Sequence, residues 1–255
     1  MSGVTDVLVT GAAGKMGSIS AQTIAAQDDF EVVALVDPRG GAKAGGEAPC
    51  FATVEQALAL TSPQVALEFS VPDAVFENTR LLLEAGVPTV VGATGLGDAQ
   101  VDELSAAAEA SGAGLVIVPN FALGAVLLMR FAAQAARYYE RAEVIELHEA
   151  GKLDAPSGTS LRTARLMAEA PGSALKEGPG DQPSRGLAAD RVRIHSVRLP
   201  GVVAHQEVLF GGDDELLTIR HDSLSRRSFM SGVLVALRKV ASVQGTVVGL
   251  ENLLD

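Results

Sequence analysis

Five short apolar runs, separated by stretches of helical character, occupy the first half of the chain. This alternation restricts the fold more than any other feature. Residues 7–9, 31–36, 65–69, 87–91 and 115–118 have the length and the Val, Leu and Ile content of buried strands. Helices are expected over residues 18–26, 54–60 and 73–85, the last with Val75, Leu82 and Leu83 on one face, and an Ala-, Glu- and Leu-rich helix parts the fourth strand from the fifth. Strands that are apolar throughout, rather than alternating, are buried on both faces. Joined by helices, they specify a parallel, doubly wound sheet of the α/β class.

The pattern changes after residue 121. Residues 121–139 read as a long helix leading out of this domain, and a strand is expected at 142–147 and a helix at 159–170. A Gly- and Pro-rich loop covers 171–185, and a Gly-rich loop covers 39–47. Three β-rich segments follow at 192–199, 202–210 and 215–220, joined by the turn-like Pro200-Gly201 and by residues 211–214. Those turns predict an antiparallel meander. Residues 229–240 are helical again. Two domains are expected.

Composition narrows the class. At 255 residues with 47% hydrophobic content, the chain can bury a sizeable core. Its longest apolar run, residues 121–129, is ended by Arg130 and is too short to span a bilayer, so no membrane partner is expected. No secretory signal is visible, and the single cysteine, Cys50, makes no internal disulfide; both fit a cytoplasmic protein. A net charge of −11 argues against a nucleic-acid partner, because phosphate binding needs a basic face. Any anionic small molecule has to be held by a few local cations and backbone amides.

The first such place is Gly11-Ala12-Ala13-Gly14-Lys15-Met16-Gly17, between the first strand and the first helix. Glycines there allow a tight turn, close approach of backbone to a pyrophosphate, and close packing of helix on strand, while the helix N-terminus offers free N–H groups. Asp37 ends the second strand 20 residues beyond Gly17, where a carboxylate accepts from the hydroxyls of an adenosine ribose. Lys15 and Arg39 flank the same place and can neutralise a 2′-phosphate, so both NADH and NADPH are expected as cofactors, NADH at least as well used. Further contacts are expected where strands end: Phe69, then Gly92-Ala93-Thr94, then Pro119-Asn120-Phe121.

The second place is the segment from Glu146 to Thr159. Of four histidines, His195 and His205 lie within apolar strands, and His221 stands beside Asp222 as a structural pair. His148 stands apart, at a strand end and four residues before Lys152, and is the candidate proton donor. Ser157 is a plausible helix N-cap, and the amides of Gly158 and Thr159 then point out of the helix end, a carboxylate site by the same physics as a phosphate site. Lys152 adds a full positive charge, and Arg226 is a second candidate anion clamp. Two anion sites and a general acid suit reduction of a small dicarboxylate. A zinc site is not expected, because His148-Glu149 has no second histidine at the spacing a zinc helix uses.

The motifs VTGAAGKMG, EFSVP, VVGATG, VPNFALG, ELHEAGKLDAPSGT, AHQEVLFG and LTIRHDSLSRRSFMSGV, spread along the whole chain, resemble the 4-hydroxy-tetrahydrodipicolinate reductase (dihydrodipicolinate reductase) family of diaminopimelate and lysine biosynthesis. The resemblance implies that His148 and Lys152 are catalytic, and that Gly158 and Thr159 bind the substrate carboxylate. It implies cofactor contacts at residues 11–16, Asp37, residues 92–94, and from Val118 to Phe121. It further implies a Rossmann-type dinucleotide-binding domain over residues 1–121, joined by 231–255, and a mixed α+β substrate-binding and tetramerisation domain over 122–230, in a homotetramer. One position departs from the family: Glu149 stands where a second histidine is usual, replacing a donor by an anion that repels a dicarboxylate. Two other functions fit parts of this pattern, a dehydrogenase of another small amino dicarboxylate and a non-catalytic NAD(P)H-binding sensor.

Overall fold

A computed structural model describes residues 3–40, 46–178, 180 and 182–254 of the chain. Positions 41–45 of the first Gly-rich loop, and 179 and 181 of the second, lie outside the described residues. The chain divides into two compact units, residues Met1–Phe121 with Phe229–Asp255, and residues Ala122–Ser228.

The first unit runs β1 (Thr5–Thr10), α1 (Lys15–Ala25), β2 (Phe30–Val36), β3 (Cys50–Phe51), α2 (Val54–Leu60), β4 (Val65–Glu68), α3 (Pro72–Glu84), β5 (Thr89–Val91), α4 (Asp98–Ser111) and β6 (Leu115–Ile117). The second unit contributes α5 (Leu123–Ala135), β7 (Arg141–His148), α6 (Gly158–Glu169), β8 (Leu187–Ala189), β9 (Val192–Arg198), β10 (Ala204–Gly212) and β11 (Glu215–Ser223). The chain then returns to the first unit with α7 (Met230–Val240) and β12 (Thr246–Val248).

In the first unit the strands pair in parallel in the order β12-β6-β5-β4-β1-β2-β3. All four residues of β4 are buried, as a strand covered on both faces requires. Helices α2, α3 and α4 pack in series, and α1 packs with α7. Leu8, Val36, Val54 and Leu82 form one apolar cluster, and Val75, Leu83, Leu104 and Leu115 a second. Each fully buried Leu stabilises the fold by roughly 1.5–3 kcal/mol through area removed from water. Helix ends follow local chemistry: Thr53 caps α2 by accepting from the Gln56 amide, Pro72 opens α3, and Gly112 ends α4 in the left-handed region at φ 72°. The order of strands reverses between β1 and β4, and such a reversal opens a crevice at their carboxyl ends.

The second unit is a five-stranded mixed sheet, β11-β10-β7-β9-β8, with α5 and α6 packed together beside it. The expected antiparallel meander holds for β10 and β11, which pair as a hairpin, but not for β9. β9 does not pair with β10; β7 lies between them, parallel to β9 and antiparallel to β10. The turn signals at Pro200-Gly201 mark a change of direction but not the neighbour that follows. Leu199 donates its N–H to the His148 carbonyl, so β9 ends against the end of β7 and the chain crosses over that end before β10 begins. Parallel pairing of β7 with β9 needs a crossover, which α6 supplies. The long helix expected over 121–139 is also shorter, Leu123–Ala135, and belongs wholly to the second unit. Residues 142, 144 and 146 of β7 are buried, as are 206, 208 and 210 of β10, so the period of two sets one face of the sheet toward the core.

Candidate active site and cofactor crevice

In the first unit, Gly11 has φ 60° and its turn lies against the β4–α3 loop, where a Cβ would overlap the Phe69 carbonyl oxygen. A Cβ at Gly17 would overlap the Gly11 carbonyl in turn, so α1 starts close against the strand end. No side chain caps α1 at Gly14, which leaves its first-turn amides facing outward. Asp37 is 2% exposed and accepts from the Ala13 amide at 3.0 Å, the Arg39 amide at 3.1 Å, and Arg39 Nε and a guanidinium nitrogen at 2.9 and 3.0 Å. The Arg39 hydrogen bonds hold its carboxyl below the usual carboxylate range, against the effect of burial. The predicted ribose acceptor is thus already ionised and held by an arginine that is itself exposed.

Phe69 and Phe121 stand edge to face with centroids 5.4 Å apart, and Gly92 fits beside both, since a Cβ there would overlap each ring. The Val118 amide donates to the Val91 carbonyl at 2.8 Å, which sets the end of β6 beside that of β5. Ala12, Val118 and Phe121 are buried, Met16 and Asn120 half-buried, and Ala13, Lys15, Thr94 and Pro119 exposed. Close-approach glycines, uncapped helix amides and an ionised Asp37 fit a dinucleotide.

In the second unit, His148 closes β7 and Glu146 precedes it by two residues, so both side chains leave the strand on one face. His148 Nδ1 bonds Glu146, and because an ionised carboxylate only accepts, Nδ1 carries the hydrogen. Glu146 is fully buried and also receives Arg198 in fork geometry, at 3.0 Å to one oxygen and 2.8 Å to the other. Arg198 stands on β9 opposite His148, and donates a further hydrogen bond to the Asp154 carbonyl at 2.6 Å. Burial opposes ionisation of Glu146, but Arg198, Ser196 and His148 outweigh it and hold its carboxyl below the usual range. Burial also lowers the His148 pKa; Glu146 acts the other way, and the charges of Lys152 and Arg198 add to the lowering.

Lys152 Nζ lies 2.7 Å from Asp154. The Ala155–Pro156 peptide is cis, and Ser157 then caps α6 by accepting from the Ser160 amide at 3.2 Å. Gly158 and Thr159 form the first turn of that helix, and a Cβ at Gly158 would meet open space. Behind them Ser157, Ser160, Gln206 and Thr163 form a buried hydrogen-bonded chain, with links of 2.9, 2.9 and 2.7 Å, that ties the helix start to β10. Glu149 lies past the end of β7 and pairs with Arg226 at 3.4 Å. His148, Lys152, Ser157, Gly158 and Thr159 thus fall in one segment on one unit, and Arg226 joins that segment through Glu149.

The expected His221–Asp222 pair is not formed. Asp222 bonds His205 at 2.6 Å and Arg220 at 3.0 and 3.1 Å, while the His221 ring packs against Gly124 of α5. Neighbours on a strand point to opposite faces, which is why His221 cannot reach Asp222. Three site residues escaped sequence reasoning: Glu146, Arg198 and Gln206. The spacing of Glu146 and His148 on a strand carried the signal for the first; the other two are brought in only by strand pairing.

Residues 5–121 match the family described as dihydrodipicolinate reductase, N-terminus, and residues 124–254 the one described as dihydrodipicolinate reductase, C-terminus. The chain belongs to the dihydrodipicolinate reductase family. It is 46% identical to the 4-hydroxy-tetrahydrodipicolinate reductase of Moorella thermoacetica, over 98% of this chain and 97% of that one. It is 44% identical to that of Listeria monocytogenes serotype 4b, over 98% and 99%. Among solved structures, the dipicolinate-bound dihydrodipicolinate reductase of Paenisporosarcina sp. TG-14 superposes with a TM-score of 0.87 at 40% identity, covering 98% of this chain and all of that one. A myo-inositol dehydrogenase of Corynebacterium glutamicum, 16% identical with a TM-score of 0.64 over 95% of this chain and 90% of that one, shares the fold.

Proposed function

We propose that His148 is the proton donor of this reductase, held by Glu146 and Arg198, and that Lys152 with the start of α6 takes the substrate carboxylates. The reaction is the family's: NAD(P)H-dependent reduction of 4-hydroxy-tetrahydrodipicolinate, the reductase step of diaminopimelate and lysine biosynthesis. Held by the first unit, NAD(P)H would supply the hydride that reduces C4 of the dehydrated, conjugated ring. Negative charge then moves toward the ring nitrogen and C3, and protonated His148 delivers its proton there to complete the reduction. Lys152 and the amides of Gly158 and Thr159 stabilise that charge, because a cation and a helix N-terminus both favour an anion there.

The observation that carries the assignment is the pairing of half-buried His148 with the fully buried Glu146 carboxylate. In the free protein the lowered pKa keeps His148 largely neutral, with the hydrogen on Nδ1 and Nε2 open. An arriving dianion favours the imidazolium, so substrate binding itself loads the acid. Arg226 is engaged with Glu149 rather than offered freely to a second carboxylate, and it serves as a clamp only once that pair opens. Pairing with Arg226 also answers the repulsion that Glu149 brings in place of a histidine.

For the cofactor, Gly11, Ala12, Ala13, Gly14, Met16 and Gly17 cradle the pyrophosphate. Asp37 takes ribose hydroxyls when Arg39 swings out, and Arg39 with Lys15 meets a 2′-phosphate. Phe69, residues 92–94 and Val118 to Phe121 line the nicotinamide end. We propose a cytoplasmic homotetramer, supported by the family resemblance and by exposed Leu187 and Leu216 on the edge strands β8 and β11. The test of the function is NAD(P)H oxidation followed by its near-ultraviolet absorbance with freshly made substrate. Turnover with both cofactors, NADH at least as fast, is expected; no oxidation with either would contradict it.

A further inference from the structure

Glu68, the last residue of β4, is fully buried at the base of the cofactor crevice, and the chemistry above makes no use of it. One carboxyl oxygen accepts from the Thr10 hydroxyl at 2.5 Å, at the end of β1, and from Asn78 Nδ2 at 3.2 Å, on α3. The other accepts from the Ser70 amide at 2.6 Å. The Thr10 hydroxyl accepts in turn from the Phe69 amide at 3.2 Å. The carbonyl of Glu68 receives the Gly92 and Ala93 amides at 2.9 and 3.2 Å. One residue therefore holds the end of β1, the β4–α3 loop, α3 and the turn after β5.

None of the side-chain partners carries a charge. Burial pushes the Glu68 carboxyl above the usual range, and the donors from Ser70, Thr10 and Asn78 only partly oppose it. A buried carboxyl without a cation is costly, and an apolar side chain of similar volume would fill the same space without that cost. What the carboxyl adds is a set of directed acceptors. Two of them bridge the loops that meet at Gly11, where the backbone of the β4–α3 loop leaves no room for a Cβ.

We propose that Glu68 is a positioning residue for the nicotinamide cofactor: through Thr10 and Ser70 it ties the Gly11 turn to the Phe69–Ser70 loop and holds the crevice in its binding shape. It touches neither the substrate nor the reacting atoms, and it acts through these loops.

The test uses the full chain and titrates NADH into wild type, Glu68→Leu, Glu68→Gln and the near-isosteric Thr10→Val, with the substrate KM and the melting temperature measured alongside. Losing hydrogen bonds to a carboxylate predicts that Glu68→Leu raises the NADH Kd about tenfold or more. The substrate KM should stay within about twofold. Glu68→Gln, which keeps an acceptor for Ser70 and a polar group for Thr10, should restore the Kd to within about threefold of wild type. Thr10→Val cuts a single link and should raise the Kd several-fold, including in the event that Glu68→Leu does not fold. A lowered melting temperature with an unchanged NADH Kd in Thr10→Val and in either Glu68 variant would overturn the proposal, leaving Glu68 a structural residue only. Wild type that bound no NADH would overturn the cofactor reading and this proposal together.

Discussion

Replacing Glu146 by Gln removes one negative charge and exchanges one acceptor for a donor, with almost no change in volume. The site it disturbs is closed, since Glu146 has no exposed surface and accepts hydrogen bonds from Arg198, His148 and Ser196. The new amide NH2 must face one of those donors. Facing Arg198 alone, it leaves a guanidinium that is 18% exposed one hydrogen bond short, with the remaining amide oxygen and the Val197 and Asp154 carbonyls as partners. Breaking one side of a buried pair costs about 3 kcal/mol of stability, and those carbonyls keep the loss at the lower end of what such pairs show. Facing His148, it pairs with the ring only in the other tautomer. Either way the anion that raises the His148 pKa is gone, so that pKa drops further below its ordinary value. A misaligned and less basic acid should cost about 10²–10³ in kcat. The assay is kcat and kcat/KM against pH for the folded variant, with NADH binding as control. The expected result is a large fall in kcat, a basic limb moved to lower pH, and an unchanged NADH Kd. A folded variant with wild-type kcat and an unmoved limb would refute the pairing of Glu146 with the proton donor.

Three further outcomes follow from the same structure. In wild type, burial places the His148 pKa below 6.5, and the imidazolium is lost as pH rises through it; kcat/KM should therefore fall above that pKa, while the limb in kcat, read with the dianion bound, should lie at higher pH. Coincident limbs would contradict substrate-linked protonation. Arg39→Ala should raise the KM for NADPH about tenfold relative to that for NADH, by removing the cation that meets a 2′-phosphate and freeing Asp37 for the ribose; steady-state kinetics with both cofactors checks it. Leu83→Ala, in the fully buried cluster between α3 and α4, should cost roughly 2–5 kcal/mol of stability in a denaturant titration, with kcat retained under folding conditions.

Much of this was legible in the chain because it rests on local physics. Continuous apolar strands announce a parallel sheet, and the glycines at 11, 14 and 17 announce a backbone that must come close to something. Ser157 reads as a cap because a hydroxyl before a helix has one common use, and it does accept from the Ser160 amide. Reading failed where contacts are non-local. Turn residues at 200–201 could not say that β7 would insert between β9 and β10. Nor could Arg198 be linked to Glu146, 52 positions away, before parallel pairing set it opposite His148. Glu146 itself was within reach, since two residues apart on a strand means one face.

The role of His148 as the acid is tested directly by one substitution. With freshly prepared 4-hydroxy-tetrahydrodipicolinate and saturating NADH, His148→Gln should lower kcat by about 10²–10⁴ and leave the NADH Kd unchanged. Near-wild-type turnover in that variant would contradict the assignment.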